Sequence, residues 1–227
     1  MLSVEFHCHS ALSYDGRDPV DLVLDQARAV GLDAVAVTDH DEIEASLEAA
    51  ATAREYDLVG IPGMEVTSAA GHVLGLGLTE AVPPGLSFPE TLSRIHDQGG
   101  IAVIPHPFQR ARHGVASRVT RDELAAADAI EVYNSRLLTG RANRQARRFA
   151  RRRNLPMTAG SDAHIAEMVG QAVTRVAASE RTVGEILDAV IAGRTEVAGR
   201  RTPWLISGRQ FGAGVLRRAK RALLGAL

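Results

Sequence analysis

Short apolar runs rich in β-branched residues alternate along the chain with longer stretches whose apolar positions recur at helical spacing. That alternation is the pattern of βα units around a parallel sheet. Strands are expected at Val4–Phe6, Ala34–Thr38, Leu58–Ile61, Val73–Leu78, Ile101–Ile104, Ala129–Tyr133, Pro156–Thr158 and Ala172–Val176. Helix starts are readable at Asp18-Pro19, at Ser87 before Phe88-Pro89, and at the capping-box spacings Thr120/Glu123 and Thr182/Glu185. Gly31, Gly99-Gly100 and Gly193 mark helix ends. Eight strand candidates approach a small (βα) barrel, but eight equal units do not fit the length. A distorted or incomplete α/β barrel is expected, with an open doubly wound sheet as the alternative.

Six of the eight histidines, with the acids least expected inside an apolar pattern, stand at the edges of these strands. His7-Cys8-His9 follows the first, Asp39-His40 the second and Glu65 the third, and His106, Asn134 and Asp162-Ala163-His164 follow later ones. The C-terminal strand ends of a parallel barrel share one rim, so these residues would converge on one face. Alternate residues of a strand point the same way, which lets His7 and His9 reach one ion at about 2.0–2.2 Å while Cys8 points away. Asp162 and His164 repeat that geometry. A lone histidine is as often a hydrogen-bonded structural residue as a ligand. Two such pairs joined by His40, Glu65 and His106 would require too many coincidences, and a metal site is expected. His72 is the exception, standing at the front of its run.

The motifs His7-Cys8-His9, Ser13-Tyr14-Asp15-Gly16, Thr38-Asp39-His40, Gly63-Met64-Glu65, His106-Pro107 and Gly160-Ser161-Asp162-Ala163-His164 follow one another along the chain. In them the sequence resembles the polymerase and histidinol phosphatase (PHP) domain family, over roughly residues 3–177. The resemblance implies a distorted (βα)7 TIM-like barrel with two or three divalent metal ions at the C-terminal strand ends, mostly hydrolysing phosphate esters. It implies a first metal on His7, His9, Glu65 and Asp162, a second on Asp15, His40 and His164, and a third on Glu65, His72 and His106, with Glu65 bridging. Asp15 stands where some relatives have histidine, which keeps a ligand and favours harder ions. His72 is matched by context, the alternative being a loop histidine beside the rim. Asp39 is expected to accept a hydrogen bond that fixes an imidazole. Nitrogen and oxygen donors suit Mn2+, Zn2+ and Fe2+, with Mn2+ preferred.

Amidohydrolases also carry His-x-His after a first strand, but their common binuclear form bridges its metals with a carbamylated lysine. The single lysine, Lys220, lies outside the barrel pattern. Closely spaced metals polarise a phosphoryl oxygen and acidify a shared water, so the expected reaction is attack of hydroxide on the phosphorus of a phosphate monoester. The short motif versions look most like small stand-alone phosphoesterases acting on nucleotides, and a nucleoside 3′,5′-bisphosphate is the specific expectation. A 5′–3′ exoribonuclease or oligonucleotide hydrolase, a histidinol-phosphatase-like enzyme and a non-enzymatic partner-binding module are the alternatives. A phosphorylated substrate needs cations, and Arg110, Arg112, His113 and Arg136 fall in expected rim loops, where they would equally be ordinary solvated surface. Arg17 is a further candidate. Asn134 matches an asparagine of relatives and would orient the nucleophile or a metal-bound water. His96 lies in a helical pattern and reads as structural.

Composition adds bounds: 227 residues, 45% apolar and 23% charged, fit one globular domain. The single Cys8 excludes an internal disulfide and a thiolate zinc cage. With no signal-peptide pattern and no run of 18 apolar residues, a cytoplasmic location is expected. The formal net charge of −1 hides an asymmetry, because residues 199–227 hold seven of the 26 basic residues and none of the 27 acids. Residues 1–198 are therefore expected as an acidic metallo-hydrolase barrel and 199–227 as a basic tail with an amphipathic helical pattern. Such a tail suits a membrane surface or an acidic partner, and equally suits docking on the acidic body or on a second subunit. Arg141 to Arg153 carries seven arginines and no acid. It would track a nucleic-acid backbone, although such a run is more often a solvated helix face. Aromatic residues at 4% leave little for base stacking.

Overall fold

A computed structural model describes residues 1–136 and 140–200. The strands are β1 (Leu2–Cys8), β2 (Ala34–Val37), β3 (Val59–Gly60), β4 (Gly63–Ser68), β5 (Gly71–Leu76), β6 (Ile101–Ile104), β7 (Ala129–Asn134), β8 (Met157–Gly160), β9 (Ala172–Val176) and β10 (Thr195–Gly199). The helices are α1 (Val20–Ala29), α2 (Glu44–Thr52), α3 (Phe88–His96), α4 (Arg121–Leu124), α5 (Arg141–Arg153) and α6 (Val183–Ile191). Two five-stranded sheets result, ordered β10-β9-β1-β2-β3 and β4-β5-β6-β7-β8. This is a mixed α/β fold, as expected; its strands form two sheets that do not close into a barrel, and neither do they form the single open sheet of the alternative. The pairs β1–β2, β2–β3, β6–β7 and β7–β8 are parallel, whereas β4–β5, β5–β6, β1–β9 and β9–β10 are antiparallel. The reason is plainest at β4 and β5: only Ala69 and Ala70 separate them, and a parallel pair needs a crossover of a dozen or more residues.

The strands β4 and β10 were not expected from the pattern. In β4 both faces are covered, so Glu65 is buried in its middle and no alternation of apolar and polar residues marks it. Isolated parallel bridges, Cys8 with Ala163 and His40 with Glu65, join the two sheets. Apolar side chains of both sheets, including Phe6, Leu74, Leu76 and Val103, meet in one cluster closed by Ile186 and Val190 of α6. A second cluster packs α3 and α5 on β4–β7, and a third packs α1 and α2 on β1 and β2.

Of the four helix starts read from the sequence, three follow the capping chemistry and α1 does not. Ser87 accepts from Glu90 N, Thr120 and Glu123 close a full capping box, and Thr182 accepts from Glu185 N. Asp18 does not cap α1; Pro19 stands at the capping position, without a side-chain bond. Its carboxylate instead accepts from Ala166 N at 2.7 Å and from the Arg17 guanidinium, which fixes the loop carrying Asp15. β10 runs to Gly199 and Arg200 N donates to Gln171 O, so the folded unit passes the boundary expected at 198. The amphipathic pattern at 213–227 lies outside the described residues. Among those described, no helix is long and apolar enough to cross a membrane.

Candidate metal centre

Six imidazoles and three carboxylates meet where the ends of β1, β2, β6 and β8 approach the middle of β4. His72 joins them because β5 runs antiparallel to β4, with His72 opposite Thr67, so the front of β5 lies beside the end of β4. Glu65 sits in the middle of the group. Its Oε2 lies 3.3 Å from His7 Nε2, His9 Nε2 and His40 Nδ1, and its Oε1 lies 2.8 Å from His72 Nδ1 and 3.3 Å from His106 Nε2. Asp162 Oδ1 stands 4.0 Å from His7 Nε2 and 3.8 Å from His9 Nε2. On the other side, His164 Nε2 meets Asp15 Oδ2 at 2.8 Å, and His40 Nε2 is 3.8 Å from Asp15 Oδ1.

These spacings fit divalent metal ions. Two donors about 2.1 Å from one ion stand roughly 3.0 Å apart in an octahedral shell and 3.4 Å apart in a tetrahedral one. Donor atoms within 4.8 Å of one another form the groups His9/Asp15/His40/His164, His7/His106/Asp162, His7/His9/Glu65 and His40/Glu65/His72. All nine expected ligands fall in these groups, although His9, His40 and His106 are shared differently from the expected sets. Among the described residues, the buried atoms His9 Nδ1 and Nε2, His40 Nδ1, Glu65 Oε1, His72 Nδ1 and His106 Nδ1 make no well-formed hydrogen bond, although His72 Nδ1 and Glu65 Oε1 stand 2.8 Å apart. Each such atom costs about 1–3 kcal/mol if left unsatisfied, so a protein-only arrangement is expensive and one holding cations is not.

The electrostatics match. Burial, reinforced by His164 and His40, holds His9 well below the ordinary imidazole range, and burial with Arg136 lowers His164. His40 is pushed down to about 4, chiefly by burial. Neutral imidazoles are the form that binds a metal. Burial alone would raise the three carboxylates, but surrounding imidazoles hold Glu65 and Asp15 ionised, and Arg136, His7 and Arg112 hold Asp162 ionised. His7 and His72 rise, because the pull of Glu65, joined at His7 by Glu131 and Asp162, outweighs burial. Asp162 (φ 52°) and His106 (φ 32°) have backbone conformations rarely adopted by residues with side chains, a strain that concentrates at functional sites.

The expected substrate contacts divide. Arg112 Nη1 lies 3.1 Å from Asp162 Oδ2, and Arg136 Nη1 lies 3.0 Å from Asp162 Oδ1 and 2.8 Å from His164 Nε2. His113 is exposed and stacks on His72, with ring centroids 5.1 Å apart. Arg110 is exposed on the same short 3-10 turn as Arg112. Asn134 Nδ2 donates to Asp162 Oδ2 at 3.2 Å and to Glu131 Oε2 at 2.9 Å. Arg17 turns to Asp18 and Glu167, and His96 pairs with Asp128. Asp39 accepts from the Ser10 N–H and hydroxyl, and its nearest imidazole contact, His9 Nδ1 at 3.9 Å, is too long for a hydrogen bond. Burial pushes its carboxyl up to about 6.

The carboxylate that fixes an imidazole is Glu131, which the sequence pattern did not single out. His7 Nδ1 lies 2.9 Å from Glu131 Oε1, and His106 N donates to Oε2 at 2.8 Å. An ionised carboxylate only accepts, so the proton is on Nδ1 and the Nε2 lone pair faces the centre. Glu5 was missed likewise; its buried carboxyl accepts from His7 N, Ser161 N and Gly170 N. The available signal was an acid inside an otherwise apolar strand. Gly160 lets this layer close, because a Cβ there would stand 2.4 Å from His7 Cβ and 2.5 Å from Glu131 Oε1.

A family model described as PHP-associated matches residues 140–195. Two uncharacterised proteins of Methanocaldococcus jannaschii are 34% identical over 113 residues and 31% identical over 176 residues. These matches cover 50% and 75% of this chain and 64% and 69% of the relatives, so the chain spans about two thirds of their length. A 5′–3′ exoribonuclease of Haemophilus influenzae is 27% identical over 133 residues, which are 53% of this chain and 48% of that protein. Among solved structures, a two-domain Bacteroides vulgatus protein containing a predicted PHP-like metal-dependent phosphoesterase superposes with a TM-score of 0.74 at 23% identity, over 88% of this chain and 65% of that one. Endonuclease Q, in complex with a 27-mer duplex bearing an abasic lesion, gives 0.63 at 16% identity, over 88% and 60%. The fold, the nine-residue cluster and these relatives agree: the chain belongs to the PHP family.

Proposed function

We propose that this chain is a metal-dependent phosphoesterase acting on a phosphate monoester of a nucleotide, with nucleoside 3′,5′-bisphosphates as its leading small substrates. One observation carries the reading: Arg112 and Arg136, the cations a phosphate requires, are directed at Asp162 inside the cluster of nine candidate ligands. His7, His9, Glu65 and Asp162 would hold one ion, Asp15, His40 and His164 a second, and Glu65, His72 and His106 a third. Divalent ions there, Mn2+ before Zn2+ or Fe2+, supply Lewis acidity to a phosphoryl oxygen and lower the pKa of water. The chain's own groups do the rest. Arg112 and Arg136 present N–H donors to the nonbridging oxygens, with side chains 26% and 15% exposed and so open to a ligand. Asn134 orients Asp162, Glu131 fixes the His7 tautomer, and Asp39 anchors the Ser10 turn that follows His9.

The two sheets, bridged at Cys8–Ala163 and His40–Glu65, support reading the fold as a distorted barrel opened along two seams. A second reading, a nuclease acting along a strand with the same centre, is favoured by the exoribonuclease and endonuclease Q relatives. Full-length protein stripped with chelator and reloaded with Mn2+ is expected to release phosphate from adenosine 3′,5′-bisphosphate, and Asp162→Asn to abolish release. Turnover that survives chelation, or that survives Asp162→Asn, refutes the proposal.

A further inference from the structure

Helix α5 carries a charge pattern that the described part of the fold explains only at its last turn. Its buried face is Ala142, Ala146, Phe149 and Ala150, while Arg141, Arg144, Arg148, Arg151, Arg152 and Arg153 are exposed. Among the described residues only Arg153 has an acidic partner, Asp122 at 2.7 Å. The residues outside the description, 137–139 and 201–227, contain no Asp or Glu, so they supply no acidic side chain either. Arginines three and four positions apart repel one another along a helix, and those in the first turn also oppose the helix dipole. Arg151, Arg152 and Arg153 in the last turn suit the helix dipole, but Arg141, Arg144 and Arg148 gain nothing in a free helix and do gain in one that faces a polyanion.

The helix is placed to serve the cleft. Asn143 in its first turn exchanges hydrogen bonds with the Asn134 backbone, donating to O at 3.0 Å and accepting from N at 3.2 Å, and the Asn134 side chain reaches Asp162. The arginine stripe therefore begins beside the candidate metal centre and runs away from it. Arg144, Arg148 and Arg152 follow at four-residue steps, about 6 Å of rise each, a pitch comparable to that of successive phosphates in an extended strand. The loop bearing Arg110 and Arg112 is attached to the same helix through Phe108 against Phe149, with Arg121 over both rings. Helix α5 itself carries no acid, whereas α1 and α2 over the other sheet expose Asp21, Asp25, Glu44 and Glu48; on the α5 side the exposed acids Glu90, Asp122 and Glu123 sit on α3 and α4. The α5 face therefore attracts a polyanion that α1 and α2 repel.

We propose that the exposed arginine stripe of α5 is a docking track for the sugar–phosphate backbone of a single-stranded nucleic acid whose terminal phosphate enters the metal cleft. This rests on the phosphoesterase reading and selects the strand as substrate. With few aromatic residues available, recognition is by backbone charge and not by base.

The test uses the full metal-loaded chain and a fluorescein-labelled, phosphorothioate-linked single-stranded ten-mer, read by anisotropy against salt. Each phosphate neutralised on a single strand contributes about 0.7 to the slope of log K against log salt. Arg144→Gln/Arg148→Gln/Arg152→Gln is expected to make that slope shallower by about 2 and to weaken binding at least about tenfold near 0.1 M salt, with an unchanged circular dichroism melting curve. A parallel Arg217→Gln/Arg218→Gln/Arg221→Gln variant isolates the basic C-terminal segment. The proposal is overturned if the α5 variant binds like wild type, if the C-terminal variant alone removes the salt dependence, or if polyglutamate of equal charge competes as well as the strand. In the last case the track is for an acidic protein. Phosphate release from p-nitrophenyl phosphate separates the two readings. Turnover without α5-dependent binding overturns the track alone; α5-dependent binding without Mn2+-dependent turnover supports the track and overturns the phosphoesterase.

Discussion

Replacing Glu131 with glutamine changes one atom and tests how the centre is held. Glu131 accepts from His7 Nδ1 at one oxygen and from His106 N and Asn134 Nδ2 at the other. Glutamine offers one acceptor and one NH2 group, so one side must change. If the amide oxygen stays with His7, the NH2 confronts two buried donors, and leaving both unsatisfied costs about 1–3 kcal/mol each. If the oxygen stays with those two donors, the NH2 faces His7 Nδ1, which must become the acceptor. The proton then moves to Nε2, the nitrogen 3.3 Å from Glu65 and aimed at the metal position. The second arrangement loses less within the fold, and it blocks a ligand. Glu131→Gln is therefore expected to weaken Mn2+ binding by about 10–100-fold, or about 1.4–2.8 kcal/mol. The melting temperature of the chelated protein should move far less. Competition titration with a metallochromic indicator reads the affinity, and nitrogen-15 chemical shifts of the imidazoles read the tautomer. Affinity within twofold of wild type, with His7 Nε2 still unprotonated, refutes this account of Glu131.

Two further outcomes follow from the same layer. Gly160→Ala drives a methyl group against His7 and the Glu131 carboxylate, and should cost about 1–3 kcal/mol while lowering the metal bound per chain; a normal melting curve and full loading refute the packing argument. Glu5 is raised from 4.5 to about 7 by burial, against the N–H donors of Ser161, Gly170 and His7. The folded state therefore keeps a proton that the unfolded state releases, so stability from Glu5 is complete below pH 4.5 and is lost as pH rises through about 7, by about 3 kcal/mol in all. Urea denaturation at pH 4.5 and 8 should show Glu5→Gln gaining that amount relative to wild type, and a pH-independent difference refutes the burial of Glu5 as its cause.

Strand-end histidines were legible because period-two spacing at the end of a β-branched run leaves few other readings, as at His7 and His9. The position of His72 was not legible in a parallel scheme; only the two-residue turn at Ala69-Ala70 reverses β5 and brings it to the rim. Nor was the division into two sheets, since apolar runs specify strands and not their partners. Glu131 and Glu5 escaped because strand periodicity treats an acid between apolar residues as a solvent-facing position, whereas here both sides are covered and the acid is satisfied by N–H groups from other strands. Asp18 was misread for a related reason. A cap and a tertiary anchor use the same short carboxylate, and Ala166 N, far away in sequence, took it.

The two sheets meet through little backbone of their own. On one seam Asp162 N donates to His7 O and His9 N donates to Ala163 O, both at 2.8 Å; on the other Glu65 N donates to Asp39 O and Asp41 N to Glu65 O, both at 3.0 Å. His7, His9, Glu65 and Asp162, four of the seven residues making these bonds, are themselves candidate ligands. Ions held there would cross-link the sheets at the places where the ladders are interrupted, and removing them would leave the unsatisfied and charged groups of the cluster at both joins. Metal loss should therefore open the seams before either sheet melts, a sub-global opening and not a uniform weakening. In hydrogen exchange of the Mn2+-loaded chain, the amides of His9, Asp41, Glu65 and Asp162 should be protected. After chelation they should exchange well ahead of Ile130, which is paired on both sides within β7. If the seam amides keep pace with Ile130 in both states, the sheets are held together by the apolar cluster around Phe6 and Leu74 and by side-chain bonds such as Thr174 to Ala159, and the metal centre is a passenger on a fold that does not need it.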